Sequence, residues 1–233
     1  MSVLVARLLT FRQQLGVELE RFWLLWKYQH KTPPFTLWWR LVLKRGVDFA
    51  SAAIGTLLVS PLLLLVALAV KLTSRGPVLY AQERLGRFGE PFMIYKFRTM
   101  RVDAESNGPV WASPENDPRV TPIGNFLRKT HLDELPQLLN VVKGDMSLVG
   151  PRPERAIFVE QLDREIPRYD ERLLIKPGMT GLAQVHYRYD QSVADVKRKL
   201  RFDLLYVKRM CLMLDAKILA WTFLMVITGR AVR

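Results

Sequence analysis

Polar and apolar positions divide the chain into three regions. Residues 1–43 interleave aromatic and basic positions and hold four of the six tryptophans, Trp23, Trp26, Trp38 and Trp39. Pro33-Pro34 separates a predicted helix, about Leu15–Tyr28, from Phe35-Thr36-Leu37-Trp38-Trp39-Arg40. Phe49 to Val70 then runs for 22 residues without a charge. As one helix at ~1.5 Å per residue it would be roughly 33 Å long, enough to cross a bilayer core. From Gly76 the pattern breaks into short runs, which predict an α+β, mostly helical domain.

Within that domain, Val78–Gln82 and Phe92–Phe97 read as strands of a β-hairpin turning at Gly86–Gly89. Alternation puts Lys96 and Arg98 on one face, as solvated surface or as a phosphate clamp. Residues 101–122 are polar and proline-punctuated, a long excursion of the kind that is often functional. Ile123–Lys129 reads as a short helix carrying Arg128. Two stiff loops follow, Gly144–Pro153 with Arg152 between prolines, and Lys176–Val185, whose glycines, Gly178 among them, would let a ligand approach the backbone. Between them Glu154–Ile166 predicts an amphipathic helix. Ser192 with Asp195 predicts an N-cap for a basic helix ending near Met210. Ile218–Ile227 is uncharged but too short to span, and predicts an interfacial or domain-capping helix.

Charge changes the reading of the apolar run. The net charge is +13 although 49% of residues are hydrophobic, which points to a polyanionic partner such as lipid headgroups or a phosphorylated substrate. Basic residues flank the run on both sides, Arg40, Lys44 and Arg45 before it and Lys71 and Arg75 after it. A spanning helix should show a one-sided bias. Ser60-Pro61 at the midpoint disfavours straight helix. The expectation is a re-entrant helix–break–helix hairpin with both ends on the cytoplasmic face, its freed backbone groups met by Ser60. A kinked spanning helix is the alternative. The organisation expected is an N-terminal arm (1–43), interfacial or packed on the domain, then the hairpin (44–75), then a catalytic domain (76–233). Lys44 and Arg45 are expected to anchor the hairpin to headgroups, with Asp48 as a local partner. Cys211 is the only cysteine, so no internal disulfide can form. No signal peptide is expected, since Arg7 interrupts the first apolar run.

The candidate chemistry centres on Asp133-Glu134. Pro136 suits a first helical turn, and Leu138, Leu139, Val141 and Val142 supply an apolar face, so the acids are expected at the positive end of a helix. That position favours ionised carboxylates and suits bound phosphate. An isolated Asp-Glu pair would read as a cap. His30, His131 and His186 lack metal-ligand spacing and receive no role.

Five stretches in order carry a resemblance: Lys44–Asp48, the Ser60-Pro61 break, Leu132–Gln137, Gly144–Pro153 and Lys176–Val185. From about residue 40 onward the chain resembles the bacterial sugar transferases, the monotopic polyprenyl-phosphate phosphoglycosyl transferases. The resemblance implies an enzyme of the bacterial inner (cytoplasmic) membrane, its catalytic domain on the cytoplasmic face. It would move a sugar-1-phosphate from a UDP-sugar to undecaprenyl phosphate, release UMP and require magnesium, as the first membrane step of exopolysaccharide or other surface glycan assembly. Asp133 would be the nucleophile forming a covalent phosphosugar-enzyme, and Glu134 its neighbour at the metal. A carboxylate nucleophile splits a difficult transfer into two displacements, and magnesium needs only one or two carboxylates beside phosphate oxygens.

Lys96, Arg98, Arg128 and Arg152, with Gly178 and Thr180, are the candidate substrate-binding residues. Membrane lipid is an expected partner, and the N-terminal arm is a candidate surface for a homodimer. An inactive scaffold of the same fold is the alternative, disfavoured by the intact acid pair. Nucleic acid is not expected, since no motif for it accompanies the charge.

Overall fold

In the computed structural model, the residues described are 18–29, 33–106, 108, 117–187 and 192–228. His30, Arg230 and Arg233 lie outside them. Residues 18–28 are helical, and the dominant element, α1, spans Pro34–Thr73 with Pro34 in its first turn. The expected interruption at Ser60-Pro61 is absent, because helix continues through Pro61. Proline cannot donate to the carbonyl four residues back. The Ser60 hydroxyl donates to the Leu57 carbonyl instead, at 2.7 Å. The serine does meet the freed group, and thereby keeps the segment helical.

One face of α1 packs along the domain. Lys44 and Asp48 are buried near its start, Ala52 joins Leu138, Val141 and Met146, and Val66 and Val70 join Phe97 and Leu127. The other face exposes Leu57, Leu58, Leu64, Leu65, Leu68 and Leu72. The N-terminal arm is similarly two-faced. Leu25 and Leu37 are fully buried with Tyr206, Val207 and Ile218, and Gln29 donates to the Val207 carbonyl at 2.7 Å. Trp23, Phe35, Trp38 and Trp39 stay exposed.

The predicted hairpin forms from β1, Leu79–Leu85, and β2, Pro91–Phe97, antiparallel with Tyr80 opposite Lys96. Then come α2 (Pro122–Thr130), a 3₁₀ turn at Leu132–Glu134 and α3 (Gln137–Lys143). The acid pair therefore stands one turn before the helix. Asn140, fully buried, joins α3 to the hairpin: its amide donates to the Met93 carbonyl (2.7 Å) and accepts from the Tyr95 N–H (3.1 Å).

β3 (Ser147–Val149) pairs in parallel with β4 (Gly178–Thr180), which brings the two stiff loops together. Helix α4 (Ala156–Glu165) lies between these strands in the chain, and α5 (Leu182–His186) follows them. Helix α6 (Val193–Arg209) starts at the expected cap, with Ser192 Oγ accepting from the Asp195 N–H at 3.3 Å. Helix α7 begins at Leu212, six residues before the uncharged run, and ends at Ile227. It buries Asp215 and Ile218 while Met213, Phe223, Leu224 and Ile227 are exposed.

Candidate active site

The acid pair is presented by a strained turn. His131 takes a left-handed conformation, φ 56° and ψ 15°, uncommon outside glycine. It ends α2 and opens the 3₁₀ turn, with its carbonyl accepting from the Glu134 N–H at 3.2 Å. With ~3 residues per turn, neighbours in such a turn point about 120° apart. Asp133 and Glu134 thus take different surroundings.

Glu134 is held in a clamp of two cations. Its Oε1 accepts from Lys96 Nζ at 2.8 Å and from Arg152 Nη2 at 2.6 Å, and Arg152 Nη1 lies 3.5 Å from Oε2. Burial opposes ionisation of Glu134, but Arg152 and Lys96 outweigh it and hold the carboxyl well below its usual range. Glu134 in turn pushes the Arg152 guanidinium upward. Burial pulls Lys96 below an ordinary lysine, and Glu134, which pushes it back up, does not fully compensate. Asp133 is buried and lines the same cleft, close enough to favour the charge on both cations. The 7-residue α3 begins only at Gln137, so the clamp accounts for ionised Glu134 where a helix terminus was expected to.

The cleft measures about 790 Å³ and is lined by nine Lys and Arg side chains against four carboxylates. That excess suits a diphosphate. Arg128 lines it and donates from Nε to Thr99 Oγ1 at 3.0 Å. Arg98 lines it too, but it turns to the end of α1, where Nη2 donates to Ser74 O (2.9 Å) and Oγ (2.7 Å). Lys96 and Arg98 therefore do not form one pair. Thr180 reaches the cleft and bonds Thr222 across it at 2.7 Å. Gly178 does not serve ligand approach: a Cβ there would run into the Gly150 backbone. Its small size lets the two loops cross, with Gly178 N–H donating to Pro151 O at 2.9 Å.

Lys44 and Arg45 also differ from expectation, since both turn into protein. Lys44 Nζ bonds Asp215 Oδ2 at 2.8 Å and lies 3.6 Å from Asp48. Asp48 is mainly a partner of Ser147, whose hydroxyl donates to it at 2.7 Å. Arg45 donates to the carbonyls of Val141 and Val142, at 2.6 and 2.9 Å, closing the end of α3. Tyr206 donates to Asp215 Oδ1 at 2.6 Å and touches the Val149 carbonyl at 3.0 Å.

Sequence reasoning also passed over Asn140 and His131. Asn140 left a signal, a lone amide on an apolar helix. The conformation of His131 left none.

Among the described residues no three His, Cys, Asp or Glu side chains gather as a metal site. Two adjacent acids in a basic cleft still fit magnesium, which keeps waters and substrate oxygens as its other ligands. Because both Glu134 oxygens face cations, Asp133 is the fitter ligand.

The sequence profile of the family described as bacterial sugar transferase matches residues 39–229. Over 191 residues the chain is 45% identical to the UDP-N-acetylgalactosamine-undecaprenyl-phosphate N-acetylgalactosaminephosphotransferase of Aeromonas hydrophila, covering 82% of this chain and 45% of that one. It is 44% identical to the UDP-glucose:undecaprenyl-phosphate glucose-1-phosphate transferase of Escherichia coli (strain K12), covering 78% and 39%. It is 42% identical to the exopolysaccharide production protein PSS of Rhizobium leguminosarum bv. phaseoli, covering 78% and 94%. The chain spans less than half the length of the first two relatives and nearly all of the third. With the profile matching most of the sequence, and with the acid pair, the Arg152 loop and most of α1 inside the match, the chain belongs to the bacterial sugar transferase family.

Proposed function

We propose that the protein transfers a sugar-1-phosphate from a UDP-sugar to undecaprenyl phosphate through a phosphosugar carried on Asp133, with UMP as the other product. The observation that carries this reading is the buried Asp133 beside the Lys96–Glu134–Arg152 clamp in a basic cleft. In the first displacement an Asp133 oxygen bonds to the sugar-bearing phosphorus. The bond from that phosphorus to the bridging oxygen breaks, and UMP leaves with the electron pair. In the second, a phosphate oxygen of the acceptor bonds to the same phosphorus, and Asp133 departs as a free carboxylate. Lys96 and Arg152 stabilise charge on the transferring group. A carboxyl held as far down as that of Glu134 is a weak base, so Glu134 orients the two cations. Magnesium, held by Asp133 and the donor diphosphate, would neutralise charge on the departing phosphate.

The exposed apolar face of α1 supports a membrane arrangement. Moving Leu57, Leu58, Leu64, Leu65, Leu68 and Leu72 from water into lipid is worth about 10 kcal/mol. Both ends of the charge-free run touch the same domain, Asp48 through Ser147 and Val70 through Phe97 and Leu127. A run crossing the bilayer would separate those contacts by the membrane thickness. A helix bent at Pro61 rather than broken there, entering and leaving on the cytoplasmic face of the inner membrane, would accommodate both. The name of the Rhizobium relative supports a place in exopolysaccharide production. The names of the other two divide between N-acetylgalactosamine and glucose, so both sugars belong in the assay.

The test is UMP release from a panel of UDP-sugars with undecaprenyl phosphate and magnesium. Asp133→Asn is expected to abolish release while remaining folded. Intact mass after exposure to the right donor alone should show the added phosphosugar. Turnover by Asp133→Asn near the parent rate would overturn the assignment.

A further inference from the structure

Arg98 combines features that the reaction outlined above does not use. Its backbone N–H donates to the Val78 carbonyl at 2.9 Å, so the hairpin ladder continues past β2. Arg98 therefore follows Lys96 on the same face, roughly 6.6 Å further along at ~3.3 Å per residue. Lys96 faces the acid pair, whereas Arg98 reaches Ser74, the residue that closes α1. Its side chain is almost fully buried and lines the cleft. Nη2 is engaged by Ser74, yet Nε and Nη1 have no hydrogen-bond partner, and among the described residues no carboxylate pairs with Arg98. A guanidinium carries five N–H donors and never sheds its charge. Buried without an acid, it keeps donors that an incoming anionic acceptor can meet. Gly76, at φ +114°, makes the room, since a Cβ there would collide with Nη1.

We propose that Arg98 seats the phosphate of the membrane-borne acceptor, the polyprenyl phosphate, before it attacks. This inference rests on the transfer reaction proposed above and adds the place of its second substrate. The donor is water-soluble and can enter through the open cleft. The acceptor carries its phosphate on a hydrocarbon chain and arrives along the apolar surface. The exposed Leu68 and Leu72 lie just before Ser74, so a phosphate whose chain lies against α1 is brought to the end of the helix that Arg98 reaches. Arg98 and Asp133 line the same cleft, so a phosphate seated on Arg98 shares that cleft with the phosphorus to be attacked. From there an acceptor oxygen bonds to the phosphorus held on Asp133. The new P–O–P linkage forms as the bond from phosphorus to the Asp133 oxygen breaks.

The test separates the two substrates. Full-length parent, Arg98→Met and Arg98→Lys proteins in lipid nanodiscs would be assayed for complete transfer. They would also be assayed for exchange of labelled UMP into the UDP-sugar, which needs no acceptor. Loss of a charge-assisted phosphate contact should raise the KM for undecaprenyl phosphate about tenfold in Arg98→Met. Exchange should stay within about twofold of the parent, and Arg98→Lys should fall between, keeping the charge without the fork. A parental acceptor KM in either variant, or exchange falling in step with transfer, overturns the seat. If Arg98→Met is not recovered folded, Arg98→Lys decides on the same two readouts. If the parent itself shows no exchange, the covalent intermediate is what fails, and the acceptor KM in complete transfer still decides the seat.

Discussion

At the scale of single residues, the clamp on Glu134 makes two measurable statements. Glu134→Gln leaves Lys96 and Arg152 facing each other without an acid between them. It should cost about 2–3 kcal/mol in chemical denaturation, at or below the low end of the range for a fully buried pair because Arg152 is partly exposed. Glu134 is depressed below an ordinary carboxyl, so its stabilisation is fully present above the unfolded value near 4.5 and is lost as pH falls through the folded value. The stability difference between parent and Glu134→Gln should accordingly be flat above pH 4.5 and shrink below it. Lys96 is shifted down, so it sheds its proton earlier than a surface lysine as pH rises. The alkaline limb of kcat/KM should fall below the ordinary lysine value of 10.5, and Lys96→Arg should move it upward. A limb unmoved by that change would remove Lys96 from the rate.

At the scale of elements, the loop crossing and the seating of α1 can be tested by packing. Gly178→Ala would push a methyl into the Gly150 backbone and should destabilise by more than about 3 kcal/mol. Lys44→Met leaves Asp48 and Asp215 buried without their cation and should cost about 3–5 kcal/mol. Adding Asp215→Leu should recover much of that loss. A lysine that merely touched headgroups would instead weaken vesicle binding and leave the melting temperature alone.

These elements also show what the sequence could and could not disclose. The β-hairpin was legible because alternation and the Gly86–Gly89 turn are local signals, and the Ser192 cap for the same reason. The clamp was not, since its members come from positions 96, 134 and 152 and only the chain's course brings them together. Lys44 beside an apolar run is equally suited to a headgroup and to a buried acid, and its acid stands 171 residues away. Gly178 misled for a related reason: a glycine declares that something comes close, but a ligand and another strand of backbone leave the same trace.

At the scale of the molecule, α1, α7 and the N-terminal arm each leave apolar side chains exposed, as the proposed membrane arrangement requires. Cysteines placed singly at Arg40 and Arg75, in a Cys211→Ser background, flank the charge-free run. A membrane-impermeant maleimide should label both from the cytoplasmic side only. Labelling from opposite sides would show that α1 spans, and the arrangement proposed here would then be wrong.

The buried Lys44 has a further consequence, which concerns the ribosome. Its main partner, Asp215, is synthesised 171 residues later. At 5–20 residues per second, that is a wait on the order of ten to thirty seconds. Asp48 sits one helical turn away on α1 itself, 3.6 Å from Lys44. In the proposed membrane arrangement, the helix would meet the bilayer with its cation already paired from within, and Asp215 joins Asp48 as a second partner only when α7 is made.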